Sequence, residues 1–174
     1  MEVIMFKRIA LLGLIVSSTY GLATPQTQSQ KKIVTWDIHK VLFTKQGKHG
    51  YQCTPQESTF ELVKELHAKG VKQVILSNIS SESFCELSRC YPQHFKYIDL
   101  SRSFTNAKFI FTRKPHGKCF KKFLKKNKYT RPSDIVFFDD KLKNVKGARE
   151  LCIDGQLFCN AAQARTILKH KGLL

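Results

Sequence analysis

The chain predicts an α/β fold with a mostly parallel central sheet and crossover helices, and three observations carry that reading. Short apolar, β-prone runs alternate with helical patterns through most of the sequence, as expected of parallel strands joined by helices. Three of those runs end in polar or charged residues: Asp37, then Ser77 with Asn78, then Asp139 with Asp140. Lys114 follows a fourth apolar run in the same way. Ligands of open α/β sheets bind beyond the carboxyl ends of the strands, so these four ends are candidates for one shared crevice.

The elements follow in order. Lys7 and Arg8 precede an uncharged stretch from Ile9 to Ala23 that ends in small residues, the form of a secretory signal peptide cleaved after Ala23. Its apolar part is short for a membrane span of about 20 residues. Residues 1–23 are therefore read as a signal peptide, 24–32 as a polar linker and 33–174 as one domain. The protein is expected to be exported, periplasmic or secreted, with no stable membrane span after cleavage. Ile33 to Trp36 is a short buried strand, and Thr44 to Gln52 a polar loop or small hairpin. Thr54, Pro55 and Glu57 supply an N-cap, a first-turn proline and a capping-box partner for a helix with Phe60, Val63 and Leu66 on one face. That helix stops at Gly70. Val71 to Leu76 is the second strand and delivers Ser77 and Asn78, and a helix follows from Ser81 to Arg89. Ile98 to Leu100 and Phe109 to Phe111 are weaker strand candidates. A lysine-rich helix runs over Lys118, Lys121, Lys122, Lys125, Lys126 and Lys128. Ile135 to Phe138 is the clearest strand, bounded by Asp139 and Asp140. A helix from Lys141 to Leu151, a short strand near Leu157 and a terminal helix from Ala161 to Lys171 complete the chain.

Composition narrows the partners. The formal charge is +17, which favours association with phosphorylated or polyanionic molecules and says nothing of fold. The lysine-rich helix places its apolar residues on one side and its lysines on the other, as a solvated face would. Nucleic acid remains open as a partner, although no nucleic-acid motif accompanies the charge. Nothing in the pattern specifies an oligomeric state. Six cysteines, Cys53, Cys85, Cys90, Cys119, Cys152 and Cys159, would enter an oxidising compartment on export. Disulfides, with Cys85–Cys90 and Cys152–Cys159 as the nearest pairs, and buried free thiols are both compatible with that number. No CxxC or HxxxH spacing occurs, so a structural metal is not expected.

The strand ends define a chemistry. Asp139 and Asp140 would repel each other and Asp37 unless a cation lay between them, and hard carboxylate oxygens suit Mg²⁺. Asp37 could then attack phosphorus. Lys114 would balance the charge, while the Ser77 hydroxyl and nearby backbone amides would donate to phosphate oxygens.

With these motifs, WDIHKVLF, LSN, RKP and FFDDKLKNVKGARELC, the chain resembles the haloacid dehalogenase-like (HAD) hydrolase superfamily from about Ile33 to the C-terminus. The resemblance implies a Rossmann-like three-layer sandwich, a Mg²⁺-dependent aspartyl nucleophile and, most often, phosphatase activity. It makes Asp37 the nucleophile, Ser77, Asn78 and Lys114 the phosphate-binding group, and Asp139 with Asp140 metal ligands. It also assigns the backbone carbonyl of His39 to the metal. Phosphatases of the superfamily usually carry a second aspartate at the His39 position as acid and base. An imidazole titrating near neutrality can serve the same step, and the alternative is a weak or inactive domain that binds an anionic or protein partner. The intervals from Asp37 to Ser77 and from Ser77 to Lys114 leave no room for a cap domain. An uncapped site favours a bulky phosphorylated or polyanionic substrate. Dehalogenation would leave the paired aspartates without a task.

Overall fold

In the computed structural model the described residues are 32–44, 53–106, 112–128 and 131–174. The expected signal peptide, linker and Phe109–Phe111 strand lie outside them, as does nearly all of the 44–52 loop. Five strands, β1 (Ile33–Trp36), β2 (Lys72–Ser77), β3 (Phe104–Thr105), β4 (Ile135–Asp139) and β5 (Asp154–Leu157), form one sheet in the order β3-β2-β1-β4-β5. Every pairing is parallel.

β1 is central and its four residues are all buried. A strand covered on both faces needs apolar residues at successive positions instead of alternation, which is why IVTW reads as a continuous run. Successive side chains still point to opposite faces, and two cores result. Val34, Trp36, Ile75, Val136 and Phe138 pack beneath α1 (Glu57–Ala68), α2 (Ser81–Cys90), α3 (Pro92–Phe95) and α6 (Ala161–His170). Ile33, Val74, Leu76, Ile135 and Phe137 pack beneath α4 (Gly117–Asn127) and α5 (Leu142–Arg149). This is the three-layer α/β sandwich expected, with its sheet wholly parallel.

Trp36 fixes the strand register in the first core. Its ring stacks on Phe138 with centroids 5.0 Å apart, and its indole N–H donates to Gln73 Oε1 at 3.0 Å. Gln73 Nε2 in turn donates to the Val63 carbonyl at 2.8 Å, tying β1 and β2 to α1. Buried polar groups of this kind are tolerated because each finds its partner.

Three local expectations are corrected. Thr54 and Pro55 do not cap α1. Gln56 occupies the N-cap position without a side-chain hydrogen bond, because Pro55 bridges Phe43 and the Thr54 carbonyl accepts from Thr44 N–H at 2.8 Å. Those contacts recruit the segment to close the preceding loop. Ile98 to Leu100 is not a strand. Asp99 instead caps a 3-10 turn over Leu100–Arg102 through the Arg102 amide, and the edge strand falls at Phe104–Thr105. Neither suggested disulfide is formed, and Cys85, Cys90, Cys152 and Cys159 are exposed free thiols. None of the described helices is long and apolar enough to cross a membrane.

Candidate active site

The sheet order reverses at β1, with β2 on one side and β4 on the other. Such a switch point opens a crevice at the strand ends. Asp37 is the first residue beyond β1, and its amide continues the ladder by donating to the Phe138 carbonyl at 3.0 Å. Asp139 ends β4 on the adjacent strand. Register therefore places two carboxylates side by side at the mouth of the crevice.

The chain turns sharply after Asp37. The Leu42 and Phe43 amides both donate to the Ile38 carbonyl at 2.9 Å, and Lys40 takes a left-handed conformation with φ of 62°. Ile38, Val41, Leu42 and Phe43 are fully buried and anchor this turn. His39 is left half-buried and Lys40 exposed.

Asp37, Asp139 and Asp140 each offer one carboxylate oxygen within 4.8 Å of the others. Lys114 Nζ sits between two of them, 3.0 Å from Asp37 Oδ1 and 2.6 Å from Asp139 Oδ2. It also donates to the Leu76 carbonyl at 2.7 Å. Burial alone would depress the Lys114 ammonium, yet the Asp37 and Asp139 carboxylates outweigh it and hold the pKa above the ordinary lysine value. Asp139 is raised by its burial, reinforced by Asp37, against the attraction of Lys114. One ammonium thus does not offset three carboxylates.

Two amides hold this ion network in place. Asn78 Nδ2 donates to the Lys114 carbonyl and its Oδ1 accepts from the Lys114 amide, both at 2.9 Å. Its side chain therefore positions Lys114, a different task from the phosphate contact expected of it. Asn144 Nδ2 donates to both Asp139 oxygens at 2.8 and 3.0 Å, and the Lys141 amide adds a bond to Asp139 Oδ1 at 2.9 Å. Asn144 belongs to the fourth motif, but its role was not assigned from sequence. Its offset of five residues from Asp139 places it in the first turn of α5, facing back toward the strand end.

Two buried oxygens lack partners. Ser77 Oγ and Asp140 Oδ1 have no hydrogen bond among the described residues. Unsatisfied buried polar atoms are costly, and here they point to groups that a ligand would complete. Ser77 fits a phosphate donor. Asp140, with Asp37 and Asp139, supplies hard oxygens of the kind a divalent cation takes. Three carboxylates beside a single lysine thus fit such an ion on charge and on donor chemistry.

Gly147 is a further residue that sequence reasoning passed over. A Cβ there would lie 2.3 Å from the Pro115 carbonyl oxygen, so α5 approaches the Lys114–Pro115 segment as closely as a backbone without a side chain allows. A glycine in the middle of a helix is unfavourable by itself, and that was the available signal.

The profile of haloacid dehalogenase-like hydrolases matches residues 9–155. The chain belongs to this family of hydrolases, and its parallel sheet and strand-end carboxylates accord with that membership. Among solved structures, a HAD-superfamily hydrolase from Ehrlichia chaffeensis is similar at a TM-score of 0.64 and 13% identity, covering 82% of this chain and 98% of that one. An uncharacterized protein from Corynebacterium glutamicum matches at 0.55 and 19% identity over 82% and 94% of the two chains. An uncharacterized protein from Listeria monocytogenes matches at 0.56 and 17% over 70% and 75%. At such identities the likeness is one of fold. No curated protein matches the sequence.

Proposed function

We propose that this hydrolase is a Mg²⁺-dependent phosphomonoesterase working through an aspartyl-phosphate on Asp37, in an exported protein. The observation that carries the reading is the meeting of Asp37, Asp139 and Asp140 oxygens within 4.8 Å, with the Lys114 ammonium bonded to two of the three carboxylates. Asp37, Asp139 and Asp140 would hold the ion, with the carbonyl of His39 as a further ligand. A bound Mg²⁺ supplies charge neutralisation that lets an anionic nucleophile approach an anionic phosphate.

The protein's own residues do the rest. Both hydrogen bonds to the Asp37 carboxylate, from Ile38 N–H at 2.8 Å and from Lys114, fall on Oδ1. This leaves Oδ2 to attack phosphorus. The new Oδ2–P bond forms as the P–O bond to the leaving group breaks, and His39 gives that alkoxide its proton. Water then attacks the same phosphorus, His39 takes the water's proton, and the Oδ2–P bond breaks to release inorganic phosphate and the Asp37 carboxylate. Ser77 Oγ and Lys114 Nζ stabilise charge on the phosphoryl oxygens.

The test is hydrolysis of an activated aryl phosphate by the protein with Mg²⁺ and with EDTA. Turnover that needs the ion and disappears in Asp37→Asn supports the reading. The histidine at position 39 favours a second reading, a domain that binds phosphorylated ligands without turning them over. Inert wild type with activity gained in His39→Asp would establish that one instead.

A further inference from the structure

The catalytic crevice is continuous with a surface that the reaction itself does not use. α4 begins just beyond Lys114 and α5 just beyond Asp139 and Asp140, so both helices start at the crevice and run away from it. They cover the same sheet face and share its core through Cys119, Phe120, Phe123 and Ala148. Their outer sides are uniformly basic. Lys118, Lys121, Lys122 and Lys125 recur at the spacing of one helix face and are exposed, as are Lys143 and Lys146 on α5. Neither helix contains an Asp or Glu, and none of these six lysines forms an ion pair with a described residue. α4 alone carries this row for about 16 Å at 1.5 Å per residue.

We propose that the α4–α5 face binds a nucleic-acid strand whose terminal phosphomonoester enters the Asp37 crevice. The proposal rests on the phosphomonoesterase reading for the crevice and adds the substrate class. The chemistry of the face decides among polyanions. A membrane-docking helix face needs several apolar side chains to insert beside its cations, whereas Leu142, 49% exposed, is the only exposed large hydrophobic residue among those described. A phosphoprotein partner would present charges of both signs, for which this face offers no acidic counterpart. A repeating phosphate backbone matches rows of cations alone, and its counterions are released as the lysines engage.

The experiment uses the full chain and a fluorescent single-stranded 15-mer of thymidine bearing a 3′-phosphate, with binding read by fluorescence anisotropy across salt concentrations. The triple variant Lys121→Glu, Lys122→Glu, Lys125→Glu is expected to bind about tenfold or more weakly and to show a shallower dependence on salt, by roughly one in log–log slope for each lysine lost. A control triple, Lys64→Glu, Lys69→Glu, Lys169→Glu, changes the net charge equally but lies on exposed positions of α1 and α6 and beside α1, across the sheet. It is expected to bind within about threefold of wild type, since long-range attraction is screened at working salt. Phosphate release from the oligonucleotide should fall in the first triple while aryl-phosphate hydrolysis stays unchanged. Equal weakening by both triples, no weakening by the first, or tighter binding of wild type to anionic phospholipid vesicles than to the oligonucleotide would each overturn the proposal. Lysine-dependent oligonucleotide binding without aryl-phosphate turnover would retain the surface and refute the phosphomonoesterase reading. Turnover of aryl phosphate without oligonucleotide binding would do the reverse.

Discussion

Lys114 is the residue on which the site converges, since its ammonium touches Asp37, Asp139 and the Leu76 carbonyl while Asn78 holds its backbone from both sides. Removing one partner of a buried ion pair leaves the other charge uncompensated, at a cost of about 3–5 kcal/mol. Lys114→Met should therefore lower stability by that order at neutral pH, measured by urea denaturation, and the deficit should shrink in acid as the carboxylates protonate. The sign on the alkaline side follows from the raised pKa of Lys114. Its contribution is full below the ordinary value near 10.5 and is lost as pH rises through the higher folded value. Wild type should thus lose stability on that limb while Lys114→Met does not. Asn144 acts through Asp139. Asn144→Ala removes a hydrogen bond to a charged group, typically about 1.5–3 kcal/mol, and should weaken Mg²⁺ stabilisation of the melting temperature more than it alters binding of phosphate alone.

Among the elements, α5 and the turn before α4 are matched by contact of backbone on side-chain-free backbone. Gly147→Ala would ordinarily favour a helix by up to about 1 kcal/mol. Here the added Cβ meets the Pro115 carbonyl at 2.3 Å, so the sign should reverse to a loss of about 1–3 kcal/mol, with reduced turnover because Lys114 is displaced. Thermal melts and kcat together check it. The strands and long helices were legible because their hydrophobic periodicity is local: Ile135 to Phe138, the 117–127 helix and the 161–170 helix fall within a residue or two of expectation. The failures were tertiary. Thr54 and Pro55 have good capping chemistry, but the bridge to Phe43 claims them. Ile98 has the composition of a strand residue, but its neighbour Asp99 turns the chain through its own hydrogen bonds to Ser101 and Arg102. The charged groups at strand ends were legible as a site, whereas the tasks of Asn78, Asn144 and Gly147 depend on what crosses from another element.

At the scale of the whole molecule, the parallel order β3-β2-β1-β4-β5 brings Asp37 and Asp139 together from positions about 100 residues apart, as a switch-point crevice requires. Folding therefore builds an excess of negative charge into one end of a protein whose formal charge is +17. A divalent cation that binds only the folded state stabilises it by mass action. Millimolar Mg²⁺ should raise the melting temperature of wild type and leave Asp139→Asn unmoved, as calorimetry can record. The central claim is that Asp37 carries the phosphoryl group, and acid-quenched single-turnover mixtures analysed by mass spectrometry test it most directly. The account predicts one phosphoryl group on the peptide containing Asp37 in wild type, with both the adduct and turnover lost in Asp37→Asn. Turnover that persists in Asp37→Asn, or a phosphoryl group found on a different residue, would contradict it.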